Sequence, residues 1–177
     1  MLTDKVVTLR SDKIRKEHVM IDVIKIASYV SQRYEYEFGS RIDEMKQHIL
    51  LYFMQRESIV QTGQPLFADV ISVNKGGLYI ASVHTAYEAD ALHDKLSGVT
   101  FAQYQSVLDH VFATYAHKDM MGLTTLVQSE WSWKRAMERV NSDKLIQIRD
   151  IAKDAERIRN RRFLLKHLQD FRKPVYA

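Results

Sequence analysis

The chain contains no cysteine, only two prolines and six glycines, and no long apolar run. The absence of thiols excludes a disulfide framework, a thiolate zinc site, an iron–sulfur cluster and a cysteine nucleophile. No stretch approaches the roughly 18 uncharged apolar residues that a membrane span needs, and the charged first residues do not resemble a signal peptide. We therefore expect a cytoplasmic protein without a membrane partner.

What the chain does contain is an ordinary globular composition with an uneven distribution of charge. Its 177 residues are 46% hydrophobic and 27% charged, enough for one domain with a real core. Residues 1–133 carry 13 Lys and Arg against 16 Asp and Glu, whereas residues 134–177 carry 13 against 6. The net charge of +4 therefore comes entirely from the C-terminal quarter.

The densest basic cluster comprises Arg157, Arg159, Arg161 and Arg162. Such a cluster can bind the phosphates of nucleic acid or an acidic protein. A mixed-sign run of this kind is more often a solvated helix face. We keep nucleic-acid binding by these four arginines as an alternative.

Apolar spacing predicts a mainly α-helical chain of the α+β class. The predicted helices are Val19–Tyr34 with Gly39 after it, a Ser40-capped helix to Thr62 ended by Gly63, Thr100–Tyr115, Met120–Gln128, a turn from Trp133 capped by Ser132, and a long last helix capped by Ser142. The second helix has so wide an apolar arc that we expect it to lie centrally. The last helix carries a narrow apolar seam at Leu145, Ile148, Ala152 and Ala155, which allows packing on the domain or a homo-oligomer.

One segment has the character of a β-hairpin. β-branched and aromatic residues flank Asn74-Lys75-Gly76-Gly77, which supplies the positive φ angles of a tight turn. We predict strands at Phe67–Val73 and Leu78–Val83. The expected organisation is an N-terminal arm at 1–18, a compact helical domain at 19–140 with the hairpin at about 67–83, and a basic C-terminal helix at 141–177.

The polar residues do not form a recognisable catalytic pattern. The seven histidines never fall into HxxxH or HExxH spacing, so we expect no metal site, with His48 beside the core and the others at the surface. The acidic cluster of Glu35, Glu37, Asp43 and Glu44 lies at a helix junction, where capping is the commoner role. The sequence also lacks the glycine-rich nucleotide loops and the nucleophile elbow. We expect neither a cofactor nor an enzyme.

Two aromatic groups are candidates for contact with a protein partner. Trp131 and Trp133 alternate before Lys134, so we expect their side chains to meet different environments, although both could instead close the core. Tyr79, His84 and Tyr87 form a second candidate patch just after the hairpin turn, with an ordinary sheet face as the alternative.

Two segments resemble the Panacea domain family. The segment from Met45 to Gln55, MKQHILLYFMQ, with TGQPLF from Thr62 to Phe67, is similar to the family's K-L-x-K-L-L-Y-F-x-Q helix and G-x-P-L-F turn. LTTLVQSEWSWKRA, from Leu123 to Ala136, resembles L-x-x-L-T-H-S-E-x-P-W-K-x-A, with Ser132 in place of proline. The resemblance covers about Val19 to Val140. Between the two blocks, VNKGGLYI replaces the family's W-x-Y-G-P-V signature.

The resemblance implies a non-catalytic antitoxin. Panacea domains neutralise a cognate protein toxin by direct contact, some act as proteolytic adaptors, and others occur alone in phages and mobile elements. The resemblance therefore predicts a toxin as the partner. The alternatives are a phage protein that inhibits a host factor and the nucleic-acid-binding regulator.

Overall fold

The computed structural model describes residues 19–139 and 143–171, so the predicted arm at 1–18 and the Ser142 cap lie outside the described residues. The fold is mainly α-helical, as predicted, with a small antiparallel sheet. The helices are α1 Val23–Phe38, α2 Glu44–Thr62, α3 Ala81–Glu88, α4 Gly98–Val111, α5 Met120–Ser129, α6 Trp131–Glu138 and α7 Ile148–Phe171, and the strands are β1 Ile71–Asn74, β2 Gly77–Tyr79 and β3 Leu145–Ile146. A π-helical turn, Phe112–Ala116, continues α4. Within these ranges, no helix is both long and apolar enough to cross a membrane.

Helix α2 forms the centre of the fold, as its wide apolar arc predicted. Every residue from Lys46 to Val60 is buried, and α2 packs against α1, α4, α5, α7 and the sheet. Each of its buried polar side chains has at least one hydrogen-bond partner, although His48 Nδ1 and Arg56 Nε have none. The Gln55 side chain, for example, accepts hydrogen bonds from the backbone N–H of Leu66 and Phe67 at 2.6 and 3.1 Å, and donates to the Phe67 carbonyl at 2.9 Å. Gln55 therefore fixes the turn that leads from α2 into the sheet.

The helix ends agree with the sequence at the C-terminal caps but differ at the N-terminal caps. Gly39 and Gly63 end α1 and α2 in the left-handed conformation, as predicted. The N-caps of α2 and α4 are Asp43 and Ser97, rather than the predicted Ser40 and Thr100. In each case a nearby side chain with an equally suitable oxygen satisfies the free amides of the first turn.

The Ser132 cap is also wrong, because Ser132 lies within α6 and is buried. The carboxylate of Asp154, on α7, accepts hydrogen bonds from the backbone N–H of Trp131 and Ser132, both at 2.8 Å. A residue distant in sequence thus caps α6, which local spacing could not indicate.

The hairpin turn lies where it was predicted, but both strands are shorter. Asn74 pairs with Gly77, and the two turn residues Lys75 and Gly76 have φ angles of 47° and 80°, as a type I′ turn requires. The second strand ends at Tyr79, and α3 replaces the predicted strand residues 81–83. Ile80 and Val83 are both buried, and their spacing of three residues suits a helix rather than a strand.

Helix α7 begins later than the seam predicted. Leu145 lies in β3 and pairs with Ser72, so it is not part of the helix. Ile151 and Ala155 are fully buried in the core, whereas Ile148 is exposed and Ala152 is half-buried. The helical stripe on the core side is thus displaced relative to the prediction. Farther along α7, a group of large apolar side chains is exposed: Phe163, Leu164, Leu165 and Leu168.

Candidate interaction surface and polar cluster

Three adjoining concavities surround Met45 at the start of α2. The first is a groove of about 290 Å³ between α2, the hairpin and α3. The second is a narrow pocket floored by Ile49 and Trp133, and the third is an open depression of about 540 Å³ over α5. All three share Met45 as a lining residue. We call this surface the hairpin face, formed by Glu44, Met45, Lys75, Gly77, Tyr79, His84, Met121, Thr124 and Gln128.

Two methionines are the exposed large apolar side chains of the hairpin face. Met121 is 78% exposed and Met45 is 43% exposed. The Met45 Cε atom lies only 3.3 Å from where a Cβ on Gly77 would stand, so Gly77 lets the methionine rest on the hairpin. Flexible thioether side chains adapt to partners of varied shape. An exposed pair of methionines over a shallow concavity is typical of a protein-binding surface.

Lys75 at the hairpin tip has an unfavourable backbone conformation. Its φ of 47° lies in the left-handed region, which costs a non-glycine residue about 1 kcal/mol. Asn or Gly is the usual residue at this position of a type I′ turn. Local strain of this kind is concentrated at functional sites. Lys75 lines the groove of the hairpin face and is exposed.

The groove contains a cluster of carboxylate and imidazole groups. Glu44 Oε1 lies 2.5 Å from His84 Nδ1 and 3.3 Å from His48 Nε2. Glu88 is close enough for its carboxylate, Glu44 and His84 each to offer one ligand atom within 4.8 Å of the others. The Tyr79 ring lies near both imidazoles, with its centroid 5.8 Å from that of His48 and 5.3 Å from that of His84.

The electrostatic environment sets the ionisation of two members of this cluster. Burial raises the pKa of the Glu44 carboxyl, but hydrogen bonds from His84 and His48 outweigh this, so its pKa is lowered overall. Burial lowers the pKa of His48, and the neighbouring Glu44 offsets only part of that effect. At neutral pH, Glu44 is therefore an anion and His48 is neutral.

The structure brings together two of the three aromatic residues predicted after the hairpin turn. Tyr79 and His84 both line the groove of the hairpin face. Tyr87 lies elsewhere: its hydroxyl donates to the Ile42 carbonyl at 2.8 Å, and the Arg41 guanidinium lies 4.0 Å from its ring centroid. The alternative interpretation, an ordinary sheet face, is wrong because His84 and Tyr87 are on α3.

The two tryptophans meet different environments, as their alternation predicted. Trp133 is 7% exposed, belongs to the core and forms part of the floor beneath the hairpin face. Trp131 is 38% exposed, with Lys153 Nζ 5.4 Å from its ring. Lys134 is exposed on α6. Trp131 and Lys134 are not among the residues that line the three concavities.

The four arginines of the basic cluster have unequal roles. Arg162 makes two hydrogen bonds to the buried Glu57 carboxylate, at 2.7 and 2.9 Å. Arg159 donates to the carbonyls of Ile59 and Val60 at the end of α2. Arg157 lies 3.5 Å from Asp154, and Arg161 is exposed. Two of the four side chains thus hold α7 against α2.

A second polar network lies beneath α6. The buried Arg56 guanidinium pairs with the Glu130 carboxylate and donates to the Tyr115 hydroxyl at 2.7 Å. Burial, opposed by Arg56 and reinforced by the nearby Asp154 carboxylate, raises the pKa of Glu130 to about 7. Because Asp154 also caps α6, this network joins α2, α6 and α7 and serves the fold.

Sequence reasoning missed most of the residues in the groove cluster. It assigned Glu44 to capping, treated His48 as a core residue and did not consider Glu88. The usable signal was the spacing Glu44-x-x-x-His48 and His84-x-x-x-Glu88, since residues four apart share a helix face. A search limited to pairs of histidines does not find this pattern.

Comparison with known proteins adds nothing to these observations: no family model, no curated protein and no solved structure matches the chain.

Proposed function

We propose that this protein is a non-catalytic, antitoxin-type binding protein that neutralises a protein partner through its hairpin face. The observation that carries the proposal is the set of three joined concavities around Met45, with Met121 exposed beside them. Support for a toxin as the partner comes from the resemblance of the α2 and α5–α6 segments to the Panacea domain. We place the protein in the cytoplasm, in accord with its lack of cysteine.

The hairpin face has the composition that protein recognition needs. Its centre holds apolar groups that a partner can desolvate, namely Met45 and Met121, above a buried Trp133. Its rim supplies polar groups from Lys75, Glu44 and Gln128. An apolar centre inside a polar rim is the usual anatomy of a protein interface. The hairpin face would cover part of the surface of a bound partner. If that part contains the partner's active site, binding alone neutralises the partner.

The strain in the hairpin turn is a second reason to assign binding to the hairpin face. Lys75 carries a cost that the common turn residue Asn would avoid, and its side chain is at the rim of the groove. A retained cost at an exposed position favours a role in binding over a role in folding.

The alternative partners have weaker support. Nucleic-acid binding would need the side chains of the basic cluster. Two of them, Arg159 and Arg162, already form hydrogen bonds to α2. Inhibition of a host factor by a phage protein would use the same hairpin face, and only the identity of the partner distinguishes it from toxin neutralisation.

The proposal is tested by capture of partners with matched variants. Tagged wild-type protein, Met121→Arg and Val99→Arg are expressed in the native host, and bound proteins are identified by mass spectrometry. Val99 is the control because it is 81% exposed but does not line the hairpin face. The captured protein is then expressed alone and together with each variant, and growth is measured.

We expect one stoichiometric protein with wild type and Val99→Arg, and its loss with Met121→Arg. That protein should arrest growth alone and be harmless when wild type is present. Equal capture by both variants would contradict the assignment of the surface. A partner that is harmless alone would contradict the antitoxin role, and nucleic acid in the eluate that is lost at high salt would favour the regulator.

A further inference from the structure

Helices α2 and α3 each carry one carboxylate and one imidazole near the point where the two helices meet. Helix α2 contributes Glu44 and His48, and α3 contributes His84 and Glu88, each pair separated by four residues. Residues four apart lie on one face of a helix, and the contact between His84 and Glu44 shows that these two faces meet. Glu44 Oε1 is at the centre, 2.5 Å from His84 Nδ1 and 3.3 Å from His48 Nε2.

His48 adds an independent observation that its packing does not explain. Its side chain is only 3% exposed, and its Nδ1 atom has no hydrogen-bond partner among the described residues. The other ring nitrogen of His48, Nε2, is directed at Glu44, which is the centre of the cluster. Because the two ring nitrogens point in different directions, Nε2 is the atom of His48 that an ion in the cluster could reach.

We propose that this cluster binds a divalent transition-metal ion of the zinc class. His84, Glu44 and Glu88 offer one ligand atom each, all within 4.8 Å of one another, and a set of this size can close around one ion. His48 adds a second imidazole next to Glu44. A mixed set of imidazole and carboxylate ligands suits Zn²⁺ and its neighbours, whereas Mg²⁺ and Ca²⁺ prefer oxygen ligands alone.

Metal binding requires one proton of the cluster to be displaced. Because the carboxylate of Glu44 can only accept, His84 Nδ1 carries the proton of their hydrogen bond in the metal-free protein. Ligation through Nδ1 requires that proton to leave or to move to Nε2. The ion would join α3 to the first turn of α2, beside the hairpin.

The test is metal binding by the full, tag-free chain, and it does not depend on any protein partner. Calorimetry with Zn²⁺ and the visible absorption of Co²⁺ measure affinity and coordination, and thermal unfolding with and without Zn²⁺ measures the coupling to stability. The variants are His84→Ala and Glu88→Gln, whose side chains are accessible enough to change without loss of the fold. His117→Ala is the matched control, because His117 is exposed and outside the cluster.

We expect one Zn²⁺ per chain, an intense Co²⁺ band and a rise in melting temperature with the metal. Each cluster variant should lower the affinity by about 10-fold or more, and His117→Ala should leave it unchanged. No binding by wild type, or equal affinity for His84→Ala and His117→Ala, would overturn the site. Full affinity of Glu88→Gln would overturn this set of ligands. None of these results bears on whether the hairpin face binds a protein.

Discussion

Single buried charges on α2 show how this chain stabilises a polar central helix. Glu57 is buried, yet its carboxylate receives hydrogen bonds from Arg162 and Gln61. Burial alone raises the pKa of Glu57, but these hydrogen bonds lower it overall. A buried carboxylate left without its cation is strongly destabilising. The stability of the junction between α2 and α7 therefore depends on Arg162.

We predict that Arg162→Ala lowers the free energy of unfolding at pH 7 by about 1 to 2 kcal/mol, a value below that of a fully buried pair because Arg162 is partly exposed. The neighbouring Arg161→Ala should change it by less than about 0.5 kcal/mol. Urea unfolding measures both. Because the pKa of Glu57 lies below its ordinary value of 4.5, its contribution is present above that pH and is lost as the pH falls further. Equal effects of the two substitutions would contradict this assignment.

Glu130 has the opposite pH dependence. Its pKa is raised from 4.5 to about 7, so the folded state binds a proton more tightly than the unfolded chain. Its contribution to stability is complete below pH 4.5 and is lost as the pH rises through 7. Arg56, Asp154 and Arg157 are the charged groups around it.

We predict that Glu130→Gln abolishes a component of the pH dependence between about pH 4.5 and 7, on the order of 3 kcal/mol. Chemical unfolding of wild type and variant at several pH values measures it. Parallel stability profiles for the two proteins would show that Glu130 titrates normally. Glu138→Gln, at an exposed ion pair on α6, is the control and should leave the profile unchanged.

The strain at Lys75 makes a separate prediction about stability and binding. Lys75→Asn places a common type I′ residue at φ 47° and should raise the free energy of unfolding by about 0.5 to 1 kcal/mol. The same variant should weaken partner capture, because the exposed amine is lost. Lys95→Asn, at another exposed lysine, controls for the loss of charge. If Lys75→Asn is more stable but captures the partner as well as wild type does, the strained residue has no role in binding and this prediction is wrong.

At the scale of the elements, α7 combines a buried first part with an exposed second part. Ile151 and Ala155 are fully buried against the core. In the second part of the helix, Leu165 is 50% exposed and Leu168 is 58% exposed. The same helix therefore provides an internal comparison of residues in the core and at the surface.

We predict that Ile151→Ala lowers the free energy of unfolding by about 2 to 4 kcal/mol, since it removes methylene groups from a closed core. Leu165→Ala should lower it by less than about 0.5 kcal/mol. Thermal or urea unfolding of the two variants at the same low concentration measures the difference. A large, concentration-dependent loss in Leu165→Ala would instead indicate that the exposed part of α7 is buried in a homo-oligomer.

The sequence predicts elements better than it predicts what joins them. Gly39, Gly63 and the Asn74–Gly77 turn act locally, so their positions follow from backbone preferences alone. The cap of α6 does not, because Asp154 reaches it from another helix. The strand predicted after Tyr79 is wrong because the buried apolar residues Ile80 and Val83 are three apart, a spacing that suits a helix. Contacts between residues far apart in the sequence decide these cases, and local sequence patterns do not reveal such contacts.

The candidate site shows the same limit. Tyr79, His84 and Trp133 were indicated by residue type, and they line adjoining concavities. Glu44 and Met45 begin α2, whereas Met121 lies on α5, so the two parts of the site meet only after folding. Their residue types are common in helices. Only Glu44 had an informative spacing, four residues before His48, and nothing in the sequence distinguishes Met45 and Met121 from ordinary surface positions.

At the scale of the whole molecule, the chain offers two surfaces of different character. The hairpin face is concave and combines thioether groups with Lys75 and Glu44. The exposed part of α7 combines leucines with Arg161 and Lys166. We assign partner recognition to the hairpin face, because it is concave, includes the start of the central helix and carries the strained residue Lys75.

Hydrogen–deuterium exchange of the purified complex against the free chain tests this claim most directly. We predict slower exchange in the complex for residues 71–79 and 120–128, with no change for residues 98–111. Protection confined to residues 156–168, with unchanged exchange in the hairpin and α5, would contradict the account and assign recognition to the exposed part of α7.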